Sequence, residues 1–106
     1  MNELLTSGRR SYNLEDLARI IEDEGKLGVG VYREPKTGLR CAIGALAGVS
    51  GTGIFYPGSR FHVVEVTAYF DKLGVDLTDF NDTTCASMSP EERAQAVALK
   101  IRSLVT

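Results

Sequence analysis

Cys41 is the residue of this sequence whose type and position best suit covalent chemistry. It follows a predicted strand and precedes a predicted helix, where helix N-terminal amides can stabilise a thiolate. His62 comes next along the chain, followed by Asn81 and Asp82, in the order nucleophile, base and orienting group. This arrangement is compatible with a small cysteine-dependent hydrolase or transferase, but it is not specific to that chemistry. Cysteine is among the most buried residue types, and no family-specific local signature surrounds Cys41.

The acidic and glycine-rich segments do not match a known metal or phosphate motif. Residues 76–84 resemble a calcium loop in composition, but they lack its central glycine and its closing glutamate. Cys41, Cys85 and His62 come from three separate segments, without a close-spaced pair of ligands to begin a zinc site. Residues 48–58 lack the Walker lysine and the dinucleotide spacing. We therefore expect no metal and no cofactor.

A recognition surface is predicted on the loop 51–58 together with the neighbouring turn 79–84. The loop places three large apolar side chains between glycines, with no helical or strand stripe to bury them. Aromatic anchors of this kind dominate the energetics of protein interfaces. The alternative is that its two aromatic rings fold back and cover the core. The binding residues predicted on this surface are Ile54, Phe55, Tyr56, Asp79, Asn81 and Asp82.

Length and composition restrict the function classes. The 106 residues are 43% hydrophobic and 25% charged, which is typical of one globular domain spanning residues 1–106. Twelve Lys and Arg against fourteen Asp and Glu leave a net charge of −2, which disfavours nucleic acid as a partner. Two cysteines are too few for a secreted disulfide framework, and no run is long enough for a membrane span. We expect a cytoplasmic protein that binds a protein partner and no membrane, and homo-oligomerisation stays open.

Helical periodicity and capping residues predict four helices. Asn13 and Gly25 bracket the first helix, Ser59 is positioned to cap the third, and Ser89 followed by Pro90 marks the start of the last. The third helix has a competing strand signal, because it is rich in β-branched residues. Residues 1–6 are expected to form a short helical turn. The predicted helices span 14–24, 42–47, 60–73 and 90–104.

One β-hairpin is predicted between the first two helices. Two short alternating runs flank a turn at 34–38, which contains Pro and Gly. A lone two-stranded ribbon has to lie on helices, and its inward face is predicted to be Val29, Val31, Leu39 and Cys41. Gly44 in the following helix costs about 1 kcal/mol relative to Ala, which close packing of another element would offset. These elements predict an α+β, mostly α domain: a compact bundle of about four helices with one short β-hairpin.

Two short motifs carry a resemblance to known proteins. Residues 40–46 read Arg-Cys-Ala-Ile-Gly-Ala-Leu, and residues 79–82 read Asp-Phe-Asn-Asp. Over most of residues 14–104 the chain resembles a family of small uncharacterised bacterial and phage proteins with these motifs in the same order. Phe80 stands where many members have tryptophan. No activity is established for that family, so the resemblance implies a compact helical fold and names no reaction.

The leading functional expectation is a non-enzymatic interaction or regulatory protein, because no catalytic group of residues is specific enough to displace it. A phage origin, with a host protein as the partner, is part of this expectation. The first alternative is the cysteine-dependent hydrolase or transferase that uses Cys41 and His62. The second is a sensor that binds a small ligand near residues 48–58.

Overall fold

Residues 4–7, 10–48 and 60–104 are described by the computed structural model, which is mostly helical with one short antiparallel hairpin, as predicted. A π-helical segment, here called the π turn, follows the fourth helix directly. In chain order the elements are β1 (Leu5–Ser7), β2 (Arg10–Tyr12), α1 (Leu14–Glu24), α2 (Ala42–Ala47), α3 (Val63–Lys72), α4 (Leu77–Asp79), the π turn (Phe80–Thr84) and α5 (Pro90–Arg102).

The first and last helices form where the sequence predicts them. At the start of α1 the Asn13 side chain accepts a hydrogen bond from the Asp16 amide at 2.8 Å, and the Asp16 carboxylate accepts one from the Asn13 amide at 3.0 Å. The helix ends at Gly25, whose φ of 76° is left-handed. Ser89 and Glu92 form an equivalent capping box for α5. The two helices pack together through the buried apolar residues Leu14, Leu17, Ala18, Ile21, Ala94, Val97, Ala98 and Ile101.

α3 begins at Val63 rather than at residue 60, because His62 caps it. The Nδ1 atom of His62 accepts a hydrogen bond from the Val64 amide at 3.2 Å, and the Glu65 carboxylate accepts one from the His62 amide at 2.8 Å. The predicted cap, Ser59, lies outside the described residues. The helical prediction is confirmed, and its apolar stripe is buried at Val63, Val66 and Phe70.

The β-hairpin lies nearer the N-terminus than predicted. β1 and β2 pair antiparallel with Leu5 opposite Tyr12, in a stretch where the sequence predicts a helical turn. Residues 28–40, here called the connecting loop, do not form the predicted hairpin. Next to this loop, the described residues contain one isolated bridge, between Leu27 and Arg40. The predicted location of the hairpin is therefore wrong, although its presence is confirmed.

The side-chain directions predicted for the connecting loop are also partly wrong. Val29 and Val31 are 43% and 47% exposed, whereas Leu39 is half-buried and Cys41 is buried. Gly30 has a φ of 81°, a left-handed conformation that interrupts the extended backbone between the two valines. The alternating pattern therefore does not continue as a strand, and these valines face outward.

The connecting loop lies directly on α2, which is buried along its whole length. A Cβ atom at Gly44 would stand 2.1 Å from the carbonyl oxygen of Tyr32, so only glycine permits this approach. The close packing predicted to offset the helical cost of Gly44 is thereby confirmed. At the end of α2, Arg60 Nη1 donates to the carbonyl oxygens of Ala45 and Leu46, both at 3.1 Å. These bonds satisfy acceptors that a helix end leaves unpaired.

Arg93 of α5 is a buried cation that the sequence analysis did not identify. It is 6% exposed, and its guanidinium donates to the carbonyl oxygens of Leu27, Cys85, Ala86 and Met88. The first of these carbonyls precedes the connecting loop, and the other three follow the π turn. Arg93 therefore joins both of these segments to α5.

Candidate functional site

A cleft of about 470 Å³ opens between the connecting loop and the segment formed by α4 and the π turn. Its volume lies within the range of small-molecule sites, about 300–1,000 Å³. The walls combine apolar side chains, a thiol, a hydroxyl and two opposite charges. The side chains that line it are Val31, Tyr32, Arg33, Cys41, Thr78 and Asp82.

Asn81 connects the two sides of the cleft. Its Nδ2 donates to the carbonyl oxygen of Gly28, at the start of the connecting loop, at 3.0 Å, and to Asp82 Oδ1 at 2.6 Å. Reversing the amide would set its oxygen against two acceptors, so these partners fix its orientation. Its Oδ1 is buried without a hydrogen-bond partner among the described residues. Asn81 thus holds both the loop and the Asp82 carboxylate in place.

Asn81 is buried, whereas the sequence analysis places it on a recognition surface. The Cys85 amide donates to the Phe80 carbonyl at 3.0 Å, a five-residue spacing that defines the π turn. This spacing inserts one residue relative to an α-helix and turns Asn81 inward, where none of its surface is exposed. Single π turns of this kind occur frequently at functional sites. Leu77, which begins α4, is also buried.

Cys41 lines the cleft as a thiol rather than as an activated thiolate. It is 5% exposed, and burial is the largest of the influences that raise its pKa. The amides of Ile43 and Gly44 at the start of α2 act in the opposite direction, while the negative charge of Asp82 raises the pKa further. A nucleophilic cysteine needs a lowered pKa. The environment of Cys41 therefore opposes the activation that the cysteine-dependent alternative requires.

The four candidate catalytic residues are not all brought together. Cys41 and Asp82 line the same cleft, and Asn81, which does not line it, donates a hydrogen bond to Asp82. His62 is not among the described residues that line the cleft, and its Nδ1 is engaged in capping α3. The described geometry thus gives Cys41 a neighbouring carboxylate and not the predicted base.

The predicted binding residues fall into three groups. Asp79 is exposed, and Asp82 is half-buried at the cleft. Asn81 is fully buried, so it contributes to the site through the groups that it holds. The remaining three, Ile54, Phe55 and Tyr56, lie outside the described residues, and their role as an interaction surface stays a prediction.

An apolar surface beside the cleft was missed by the sequence analysis. Val29, Val31, Tyr32 and Val64 are all exposed, Val64 to 63%, and we call these four side chains the apolar face. Tyr32 and Val64 also line a shallow groove of about 300 Å³ along α3, whose one charged lining residue among those described is Asp71. The flanking glycines of the connecting loop were the available signal, because a glycine-interrupted run does not make a regular strand.

Comparison with known proteins found no family model, no curated protein and no solved structure that matches the chain. The resemblance through residues 40–46 and 79–82 therefore stays a prediction. Among the described residues, no group of three or more His, Cys, Asp or Glu is placed to hold a metal ion. None of their helices is long and apolar enough to cross a membrane.

Proposed function

We propose that this domain is a non-enzymatic interaction module that binds a protein partner through the apolar face. One observation carries the proposal: the connecting loop is fixed on buried α2, yet it directs Val29, Val31 and Tyr32 outward. Apolar side chains grouped on a surface mark interaction sites more often than scattered ones do.

The backbone contacts of the connecting loop supply preorganisation. Tyr32 is held through its carbonyl against Gly44, and the start of the loop is held through the bond from Asn81 to Gly28. A surface fixed before binding loses little conformational entropy when the partner arrives, so more of the contact energy appears as affinity. Tyr32 is the natural anchor, since tyrosine is enriched among the residues that dominate interface energetics.

The groove along α3 indicates the chemistry of the partner. Tyr32 and Val64 provide apolar contacts, and Asp71 provides one negative charge that no described residue pairs. A complementary segment would present an apolar anchor with a Lys or Arg beside it, placed to meet Asp71. We therefore infer that the partner is a protein with a short apolar and basic surface segment.

Selection from a displayed random-peptide library tests this proposal, because it does not require the natural partner to be identified first. Peptides selected on the wild-type domain should be enriched in an apolar anchor next to a basic residue. Their affinity should fall at least about tenfold in the Tyr32→Ala and Val64→Ser variants, as expected when an interface anchor is truncated. Leu99→Ala is the matched control, because Leu99 is 66% exposed on α5 and lies outside the apolar face.

Two outcomes would overturn the proposal. Selected peptides that bind the Tyr32→Ala and Val64→Ser variants as tightly as wild type would place the binding surface elsewhere. Sedimentation that shows a dimer, dissociated by Val64→Asp and unaffected by Leu99→Asp, would mean that a second copy of the chain covers the apolar face.

The alkylation rate of Cys41 distinguishes the cysteine-dependent alternative from the interaction module. Because burial and the charge of Asp82 raise the pKa of the thiol, iodoacetamide should react slowly at pH 7 and faster only in alkaline solution. Asp82→Asn removes one of these causes and should increase the rate. Mass spectrometry of the Cys41 peptide distinguishes it from Cys85. Rapid alkylation of native Cys41 below pH 7 would instead support the cysteine-dependent enzyme.

A further inference from the structure

We propose that the cleft binds a small zwitterion, a ligand that carries an ammonium group and a carboxylate, as amino acids and dipeptides do. The cleft shares Val31 and Tyr32 with the apolar face, but its charged residues, Arg33 and Asp82, are not part of that face. The proposal combines two opposite charges in one cleft, a carboxylate that Asn81 orients, and apolar walls of suitable size.

Arg33 and Asp82 line the same cleft without neutralising each other. Both are half-buried, and no described residue forms an ion pair with either of them. Partly desolvated charges are unfavourable unless they are paired, and two opposite charges left apart in one cleft can each bind the opposite end of a dipolar molecule. A zwitterion satisfies both charges with one ligand.

The chemistry around Asp82 favours the ammonium end. The carboxylate is oriented by the 2.6 Å bond from Asn81 Nδ2, so it is fixed before a ligand arrives. An ammonium group has three N–H donors and no acceptor, which suits the negatively charged Asp82 carboxylate.

The opposite end of the ligand suits Arg33. A guanidinium presents its donors in a planar fork that pairs with a carboxylate through two parallel hydrogen bonds. Val31 and Tyr32 add apolar walls to the cleft, and its volume of about 470 Å³ leaves room for a side chain. We therefore expect an apolar side chain on the ligand. Cys41 lines the same cleft, so its alkylation reports occupancy.

Binding is measured by titrating the full chain, followed by NMR, with L-leucine, L-phenylalanine and the dipeptide leucyl-leucine at up to about 10 mM. Saturable shifts should appear at the residues of the cleft, and the bound ligand should slow alkylation of Cys41. The relative affinities of the amino acids and the dipeptide show which of these two ligand classes matches the spacing between Arg33 and Asp82. No saturable binding by any of the three would overturn the proposal.

Modified ligands and variants then assign each end. The N-acetyl derivative of the tightest ligand should bind wild type at least about tenfold more weakly, and Asp82→Asn should show no such difference between the two ligands. The carboxamide derivative should behave in the same way toward Arg33→Gln. In Asp82→Asn the side-chain oxygen still accepts the bond from Asn81, which preserves the local structure.

Asp23→Asn and Lys36→Met are the matched controls, because both residues are exposed and neither lines the cleft. Both should bind the ligand as wild type does. The proposal would be overturned if Asp82→Asn and Arg33→Gln discriminated between the free and modified ligands as strongly as wild type does. That result would show that these two charges do not recognise the ligand. Val64→Ser should leave zwitterion binding unchanged, so this test is independent of the test of the apolar face.

Discussion

The α1–α5 pair and the cleft region are built by different means. The helix pair is specified locally: each helix has its own capping box and apolar stripe, and the two stripes bury each other. The cleft region depends on single contacts between residues far apart in sequence, such as Asn81 with Gly28. The pair should therefore tolerate loss of any one surface contact, whereas the cleft should change when one of its few key residues is altered.

The two regions are not independent, because Arg93 belongs to α5 and bonds the segments that flank the cleft. Its four carbonyl partners are buried or partly buried, so α5 serves both as half of the helix pair and as a support for the cleft. Substitutions at different positions of α5 can therefore test the helix pair and the cleft region separately.

The largest effect is expected in the helix pair itself. Val97→Asp should unfold the domain, because Val97 is fully buried and an unpaired charge there costs several kcal/mol of a total near 5–15 kcal/mol. Leu99→Asp, two residues away and 66% exposed, should change the free energy of unfolding by less than about 0.5 kcal/mol. Circular dichroism during urea titration measures both. A Val97→Asp variant as stable as Leu99→Asp would refute the assignment of the buried stripe.

Arg93→Met should have the next largest effect. It leaves four carbonyl acceptors without their donor, and each buried acceptor so orphaned costs about 1–3 kcal/mol, so we expect a loss of at least about 3 kcal/mol. Arg19→Met is the control: this side chain is 70% exposed on α1, and its loss should cost below about 0.5 kcal/mol. Denaturant unfolding compares them. Equal stability of the two variants would mean that water replaces the Arg93 bonds.

Gly44→Ala tests the contact beneath the connecting loop. Helix propensity and packing predict opposite signs for the change in the free energy of unfolding. Propensity alone predicts a gain of about 1 kcal/mol. Because the added Cβ would stand 2.1 Å from the Tyr32 carbonyl oxygen, we expect a loss of about 1–3 kcal/mol instead, together with faster alkylation of Cys41 as the loop is displaced. Ala68→Gly, at an exposed position of α3, is the reference exchange. A stabilised Gly44→Ala variant would contradict the packing of the loop.

The smallest effect is expected at the surface of the helix pair. Arg102 bonds both Glu15 and Glu22 and lowers their pKa values. A folded-state pKa below the unfolded value stabilises the protein at neutral pH, and this contribution is lost as the pH falls below the ordinary glutamate value of about 4.3. Arg102→Gln should lower Tm slightly at pH 7 and less at acidic pH, and added salt should reduce the difference. A difference that grows on acidification would exclude this ion pair as its cause.

The sequence determined the helices, because their signals are local. Asn13, Gly25 and Ser89 mark helix ends through bonds within one turn, and the apolar spacing identifies the buried faces whichever element packs against them. Gly44 was also informative, because an unfavourable glycine inside a helix predicts that another element packs closely against it. The mostly helical architecture follows from signals of this kind.

Only the tertiary structure decided where the hairpin lies and how the cleft is formed. Val29 and Val31 have the alternation of a strand, but the left-handed Gly30 and the contact with α2 turn that segment into a loop with its valines outward. The inward direction of Asn81 depends on a π turn, which differs from an α-helical turn by one residue and has no local sequence signal. The four bonds of Arg93 join segments up to 66 residues apart. Such contacts exist only after the chain has folded, because no local pattern specifies which distant carbonyl a side chain will meet.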